Sequence, residues 1–200
     1  MTSIDVLTLD TADPDAAVGF YSRAFGGRLA SAITPASGQV GGYRGFTLGL
    51  TVTGPSAVDA LLASAVDAGA TVIKPAAKSL WGYGGVVQAP DGVICKVASS
   101  KKKDPAVDAA PEATVVLLLG VDDVAASKAF YVSRGLTVAR SFGRKYVEFA
   151  TSGVTVGLYQ RKALAKDAGV PADAGVPGLT ITADAGTFTD PDGFAWESAA

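Results

Sequence analysis

Asp13-Pro-Asp-Ala-Ala-Val-Gly-Phe20-Tyr21 recurs as Asp123-Val-Ala-Ala-Ser-Lys-Ala-Phe130-Tyr131, and this pair of stretches decides the reading of the whole chain. A second pair follows in the same order: Pro90-Asp91-Gly92 recurs as Pro191-Asp192-Gly193. Two motifs repeated in order mark an internal duplication. We therefore expect two domains, residues 1–98 and 113–200, joined by a linker at 99–112. The linker is polar, carries Pro105 and Pro111 and has no apolar period. Its Lys101, Lys102 and Lys103 read as a solvated run rather than a basic patch.

Working outward, each copy opens alike. Ile4, Val6, Leu7 and Leu9 predict a strand, as does the apolar run 115–119. Asp13 suits a helix N-cap and Pro14 the first helical position, where a missing N–H is harmless. Ala17, Phe20, Tyr21 and Ala24 then recur at helical spacing, with Gly26 as the stop, and Val124, Phe130, Tyr131 and Gly135 repeat the scheme. Both Phe-Tyr pairs read as core packing against a sheet. In the first copy we expect strands near 28–33, 39–44 and 46–53. A second helix begins at Pro55, with Val58, Leu61, Leu62 and Ala65 on one face and Gly69 ending it. Strands near 71–74, 83–88 and 94–98 follow, the last two joined by a turn at Ala89-Pro90-Asp91-Gly92. The second copy is built differently. Residues 145–150 and 154–160 read as a hairpin around 151–153, 161–169 as a short helix or ordered loop, and 179–182 as a strand. No room remains for a second helix, so this domain is shortened in its second half, and the first copy in its first half.

Composition narrows the chemistry. Of 200 residues 48% are hydrophobic, enough for two domains near the usual size. The net charge of −2 gives no electrostatic reason to expect nucleic acid or an anionic membrane. The chain has no histidine, which removes imidazole bases, Ser-His-Asp triads and His-bearing metal sites. A single cysteine, Cys95, forms no internal disulfide and fits a reducing compartment. Neither a signal peptide nor an 18-residue apolar span is visible, so the expected location is cytoplasmic.

In order and duplicated, strand–Asp–helix–Phe-Tyr–Gly, the run Gly69-Ala-Thr-Val-Ile-Lys-Pro75, Trp81-Gly-Tyr-Gly-Gly85, and the Pro-Asp-Gly turns before Val93-Ile-Cys-Lys96 and Phe194-Ala-Trp-Glu197 resemble the vicinal oxygen chelate superfamily. That superfamily includes glyoxalase I, bleomycin-resistance proteins and extradiol dioxygenases. The resemblance covers nearly the whole chain outside the linker. It implies an α+β fold of tandem βαβββ modules forming two glyoxalase-like, cup-shaped sheet domains. It also implies metal ligands on a first strand, a fifth strand and the end of the last strand. Carried over residue by residue, the first-strand positions are Val6 and Val116. The fifth-strand positions fall near Thr47 and near Pro177 or Gly178. The last-strand positions are Lys96 and Glu197. One carboxylate does not hold a divalent ion against water. We therefore expect no metal and no cofactor, and a cup that works by shape, stacking and hydrogen bonds.

The apolar walls with polar tips are Tyr43, Trp81, Tyr83, Tyr159 and Trp196, and the charged candidates are Arg44, Lys96, Glu148, Arg161 and Glu197. Strand alternation sets Ile94 and Lys96 on one face and Cys95 and Val97 on the other. Lys96 is then either an ordinary surface lysine or, if its face is the cup interior, an amine facing an anionic or carbonyl group. Glu197 is either a pocket base or a surface residue. Glu148 faces either solvent or pocket. The segment at 81–85 is either structural or ligand-lining; its glycines do not form a phosphate loop. Three functions fit: metal-independent binding or sequestration of a small organic molecule; a metal-free lyase, isomerase or cyclase using Lys96 or Glu197; or a non-catalytic scaffold. The expected assembly is a monomer with pseudo-symmetric domains or a homodimer.

Overall fold

Alternation of side chains builds the first strand. In β1 (Thr2–Thr11) Ile4, Leu7 and Leu9 are buried, while Val6, Thr8 and Asp10 face outward across a bulge. The computed structural model describes residues 1–39, 41–80, 82–105, 113–173 and 175–199. Asp13 caps α1 (Pro14–Ala24), its carboxylate accepting from the Ala16 N–H at 3.0 Å, and Ala17, Phe20, Tyr21 and Ala24 form the buried stripe. Next come α2 (Gly27–Ala32), β2 (Ile33–Ser37), β3 (Phe46–Thr51) and α3 (Pro55–Asp67). The first half closes with β4 (Thr71–Ser79), β5 (Gly82–Gln88) and β6 (Ile94–Ser99). The second half runs β7 (Thr114–Val121), α4 (Val124–Ser133), β8 (Val138–Phe142), β9 (Tyr146–Phe149), β10 (Thr151–Ser152), β11 (Thr155–Gln160), α5 (Arg161–Ala168), β12 (Leu179–Ala183), β13 (Phe188–Thr189) and β14 (Ala195–Ser198).

Two expected strands are absent. Residues 27–32 are helical: Gly26 and Gly27 turn the chain at positive φ (51° and 37°), and Leu29 and Ile33, four apart, are both buried. The described part of 39–44 is irregular, because Gly42 and the following Gly45 adopt left-handed backbone (φ 65° and 78°) that breaks an extended run.

Strand pairing makes an eight-stranded sheet, β4-β5-β6-β3-β7-β11-β9-β8, and a smaller one, β10-β1-β12-β14-β13, with β2 beside β1. The large sheet is two complete βαβββ modules. In each, the first strand lies parallel to the last: β3 with β6, and β7 with β11. The modules meet at an antiparallel β3–β7 seam. The small sheet joins the shortened modules through an antiparallel β1–β12 seam. No helix lies between β12 and β13. Each sheet thus takes one module from each half of the chain. One face of the large sheet carries Leu48, Leu50, Val87, Cys95, Val97, Leu117, Leu119, Val147, Phe149, Val156 and Leu158. All are buried in one core with Leu7, Leu9 and Ile181 of the small sheet. No described helix is long and apolar enough to cross a membrane.

The start of the linker has work to do. Gly54 offers α3 no side-chain cap, and the Asp104 carboxylate supplies it from outside, accepting from the Ser56 N–H and hydroxyl, both at 2.8 Å. Residues 106–112 lie outside the described residues. Replacing Asp104 by Ala is expected to destabilise the fold by about 1 kcal/mol, the usual effect of losing an N-cap, measured by urea unfolding; no change would remove the capping role.

Candidate functional site

The other face of the large sheet is open. Strand register lines its side chains in rows. One row runs Thr155, Val116, Gly49, Lys96, Val86 and Lys74 across β11, β7, β3, β6, β5 and β4. Another runs Arg140, Glu148, Gly157, Leu118, Thr47, Ile94 and Gln88. Lys96 therefore stands on the open face, with Cys95 and Val97 on the buried one. Helix α5 closes one end of this face. Its Ala165 and Ala168 pack with Tyr43, Val86 and Ile94, and its Leu164 reaches Gly120. The helix starts at Arg161, whose guanidinium donates to Asp122 at 2.9 Å and Asp192 at 3.1 Å, and stops at Gly169 in left-handed backbone (φ 83°).

Beside the end of α5 lies a groove of about 420 Å³. The glycine-rich strand β5 (Gly82, Gly84, Gly85, Val86) and Ala98 form its floor and Lys74, Lys96 and Asp167 its rim; Lys78 and Tyr83 border it, paired in register on the opposite face, where the Tyr83 ring packs on the core. A smaller hollow of about 170 Å³ over Gly49, Thr51, Val116 and Leu118 shares Lys96 and Ala98 with it. Lys96 Nζ lies 2.6 Å from Asp167 Oδ2, with the two side chains 37% and 49% exposed. Lys74 Nζ donates to the Lys166 carbonyl at 3.0 Å and the Asp167 carbonyl at 2.5 Å. The Tyr83 hydroxyl donates to Asp59 at 2.8 Å, which raises its pKa.

The other candidates are scattered. Glu148 shares the open face with Lys96, accepting from the Tyr146 hydroxyl at 2.9 Å, with Arg140 at 3.7 Å. Burial, and then this hydrogen bond, raise the Tyr146 pKa. Tyr159 stands beside Tyr146, ring centroids 6.1 Å apart. From β9 to β6 there are four strand spacings, about 19 Å along the sheet. Glu197 is on the other sheet, exposed in register with Thr182 and, beyond it, Val6. Trp196 is not a pocket wall. It is 1% exposed, stacks on Phe188 and donates its indole N–H to Tyr131 at 3.2 Å. Tyr43 is buried beneath α5, its hydroxyl without a hydrogen-bond partner among the described residues, and burial raises its pKa. Arg44 is a buried tie, donating to the Pro177 and Gly178 carbonyls and lying over the Phe46 ring. Trp81 lies outside the described residues.

Sequence reasoning missed Lys74 and Asp167 as rim residues. Only the placement of α5 on the sheet brings them together. It also missed the role of the repeated tyrosines. Tyr21 donates to Asp91 at 2.8 Å and Tyr131 to Asp190 at 2.7 Å, so each copy ties its helix to its last turn.

The implied metal fails on the donor set. Val116, Thr47 and Lys96 share the open face, and none is a carboxylate, imidazole or thiolate. Val6 and Glu197 share a row of the small sheet with Thr182 between them. Among the described residues no three Asp, Glu or Cys side chains converge. The residues present do not fit a resident divalent ion.

No protein-family model matches the sequence. No curated protein matches it. Solved structures do. A V278E mutant of glyoxalase I from Zea mays superposes with a TM-score of 0.63 at 14% identity, covering 99% of this chain and 92% of that one. Glyoxalase I from Zea mays itself gives 0.61 at 13%, covering 98% and 91%. A putative dioxygenase from Bacillus subtilis gives 0.60 at 12%, covering 98% and 84%. The class is thus an α+β protein of paired βαβββ modules. More particularly, the chain has the vicinal oxygen chelate fold of the glyoxalase and dioxygenase structures, the fold its repeated motifs resemble.

Proposed function

We propose that this protein binds a small organic molecule in the groove between β4–β6 and α5, independently of a metal ion and in a cytoplasmic, reducing setting. The observation that carries the reading is the groove itself. It is an apolar, glycine-rich floor of sufficient volume for a small ligand, rimmed by a few polar groups, on the open face of the complete pair of modules. The lone cysteine, buried where desolvation raises its pKa, supports the reducing setting and offers no nucleophile. A lyase, isomerase or cyclase using Lys96 or Glu197 is less well supported: the two belong to different sheets and cannot act as a pair, Lys96 is paired with Asp167, and Glu197 is exposed away from the groove.

The test fills the groove. A thermal-shift screen of small aromatic and carbonyl compounds is expected to give hits that raise the melting temperature, since a ligand specific to the folded state stabilises it. Ala98→Trp places an indole on the floor. It is expected to weaken those hits at least about ten-fold, or about 1.4 kcal/mol, in calorimetry. Hits that bind the variant unchanged, or a screen with none, would overturn the proposal.

A further inference from the structure

Of the four charged side chains around the groove, three are lysines (Lys74, Lys78 and Lys96), and the fourth, Asp167, comes from α5. The end of that helix lies on the lysines as an anion would. Lys96 takes the Asp167 carboxylate at 2.6 Å, and Lys74 takes the last carbonyls, which carry the negative end of the helix dipole. Lys78, exposed on β4, borders the groove from the opposite face of the sheet. With both partners partly exposed, the Lys96–Asp167 pair adds little to stability and exchanges readily for another carboxylate.

We infer that the ligand of this groove is an organic anion: a flat apolar body that lies over Gly84, Val86 and Ala98, with one acidic group that displaces Asp167 from Lys96. Asp167 is then a resident competitor for Lys96 alone, which an acidic group must displace and which a neutral molecule lying on the floor does not meet. The inference rests on the binding reading above and adds the chemical class. Lys96 fixes the acid, β5 and Ala98 take the rings, and Lys78 adds to the field that draws the anion in.

Two dyes of like shape test it in the 200-residue protein: anilinonaphthalene sulfonate, and phenylnaphthylamine, which lacks the acid. The sulfonate is expected to bind more tightly than the neutral dye, with its advantage falling as salt rises. Lys96→Met is expected to weaken the sulfonate roughly ten-fold, the usual scale of a lost charge-assisted contact, and to leave the neutral dye unchanged. Asp167→Asn is expected to strengthen the sulfonate several-fold and again to spare the neutral dye. Lys96→Gln, with circular dichroism on every variant, separates lost charge from lost fold. If Ala98→Trp abolishes both dyes yet the wild type does not distinguish them, or Lys96 and Asp167 variants change nothing, the anion inference falls and the groove reading stands. If Ala98→Trp affects neither dye, or neither dye binds, both fall.

Discussion

Asp190→Ala is expected to lower the unfolding free energy by about 3–5 kcal/mol in urea titrations, the range for breaking a buried, hydrogen-bonded charge network. The carboxylate is 5% exposed and serves several donors at once. It accepts from the Tyr131 hydroxyl at 2.7 Å, the Phe194 N–H at 2.8 Å and the Asp192 N–H at 3.0 Å. Tyr131, fully buried, in turn accepts from Trp196. Truncation leaves these donors facing apolar side chains. The first copy gives an internal comparison: its tyrosine ties to Asp91, the counterpart of Asp192, because Ala89 stands where the second copy has Asp190. Asp91 is only partly buried and accepts from Tyr21 and the Val93 N–H, so Asp91→Ala is expected to cost about 1–3 kcal/mol. Equal losses at both positions would contradict this account.

The same carboxylate predicts a pH dependence. Burial raises the Asp190 pKa above that of the unfolded chain, against the pull of its hydrogen bonds. The folded state then binds this proton more tightly than the unfolded state does. The associated stability is complete below the ordinary carboxylate value and is lost as pH rises through the raised one. The stability of the wild type relative to Asp190→Asn should therefore be greater in acid than at neutrality.

Arg44→Met is expected to cost about 2–4 kcal/mol. The substitution keeps most of the side-chain volume but removes the donors to the half-buried Pro177 and Gly178 carbonyls, the second of which still accepts from the Asp10 N–H at 2.8 Å. One guanidinium nitrogen, Nη1, has no hydrogen-bond partner among the described residues, and its removal offsets part of the loss. The expected secondary effect is on the groove. Residues 177–178 end the segment that carries α5 back toward β12, so the variant should also alter binding that depends on Asp167. A variant as stable as the wild type would show that the buried cation is tolerated rather than needed.

Local chemistry made the elements legible. The Asp13 and Asp123 caps, the apolar stripe of α3 and the alternation in β6 all lie where the sequence places them. The failures have physical reasons. The single turn-and-a-half of α2 buries Leu29, alone among its described side chains, between Gly26–Gly27 and β2, too short a stretch to show a period, and Gly42 with Gly45 breaks what reads as a strand. The pairing of sheets across the halves was not legible at all. The choice of β7 as the neighbour of β3 depends on complementary apolar faces such as Leu48 beside Leu117, and many strands of similar composition offer those. At the site, Lys96 on an alternating strand was visible. Its partner Asp167 was not, because the contact spans 71 residues and depends on how a short helix crosses the sheet. Trp196 reads as a pocket wall because an indole offers an apolar face with a polar tip, whereas its ring completes an aromatic cluster with Tyr131 and Phe188.

The interleaving of the two halves sets an order of assembly. Neighbouring strands such as β5 and β6, or β8 and β9, find each other across short turns. The first strand meets β2 through the local α1–α2 crossover, but Leu9 lies opposite Leu179, so its antiparallel seam waits until β12 has been made. Closing so long a loop carries a large entropy penalty and slows the step that needs it. The β1–β12 seam should therefore be the last part to consolidate during refolding, and an early intermediate should protect the amides of β3, β6, β7 and β11 in hydrogen exchange while those bonded across β1–β12 still exchange freely.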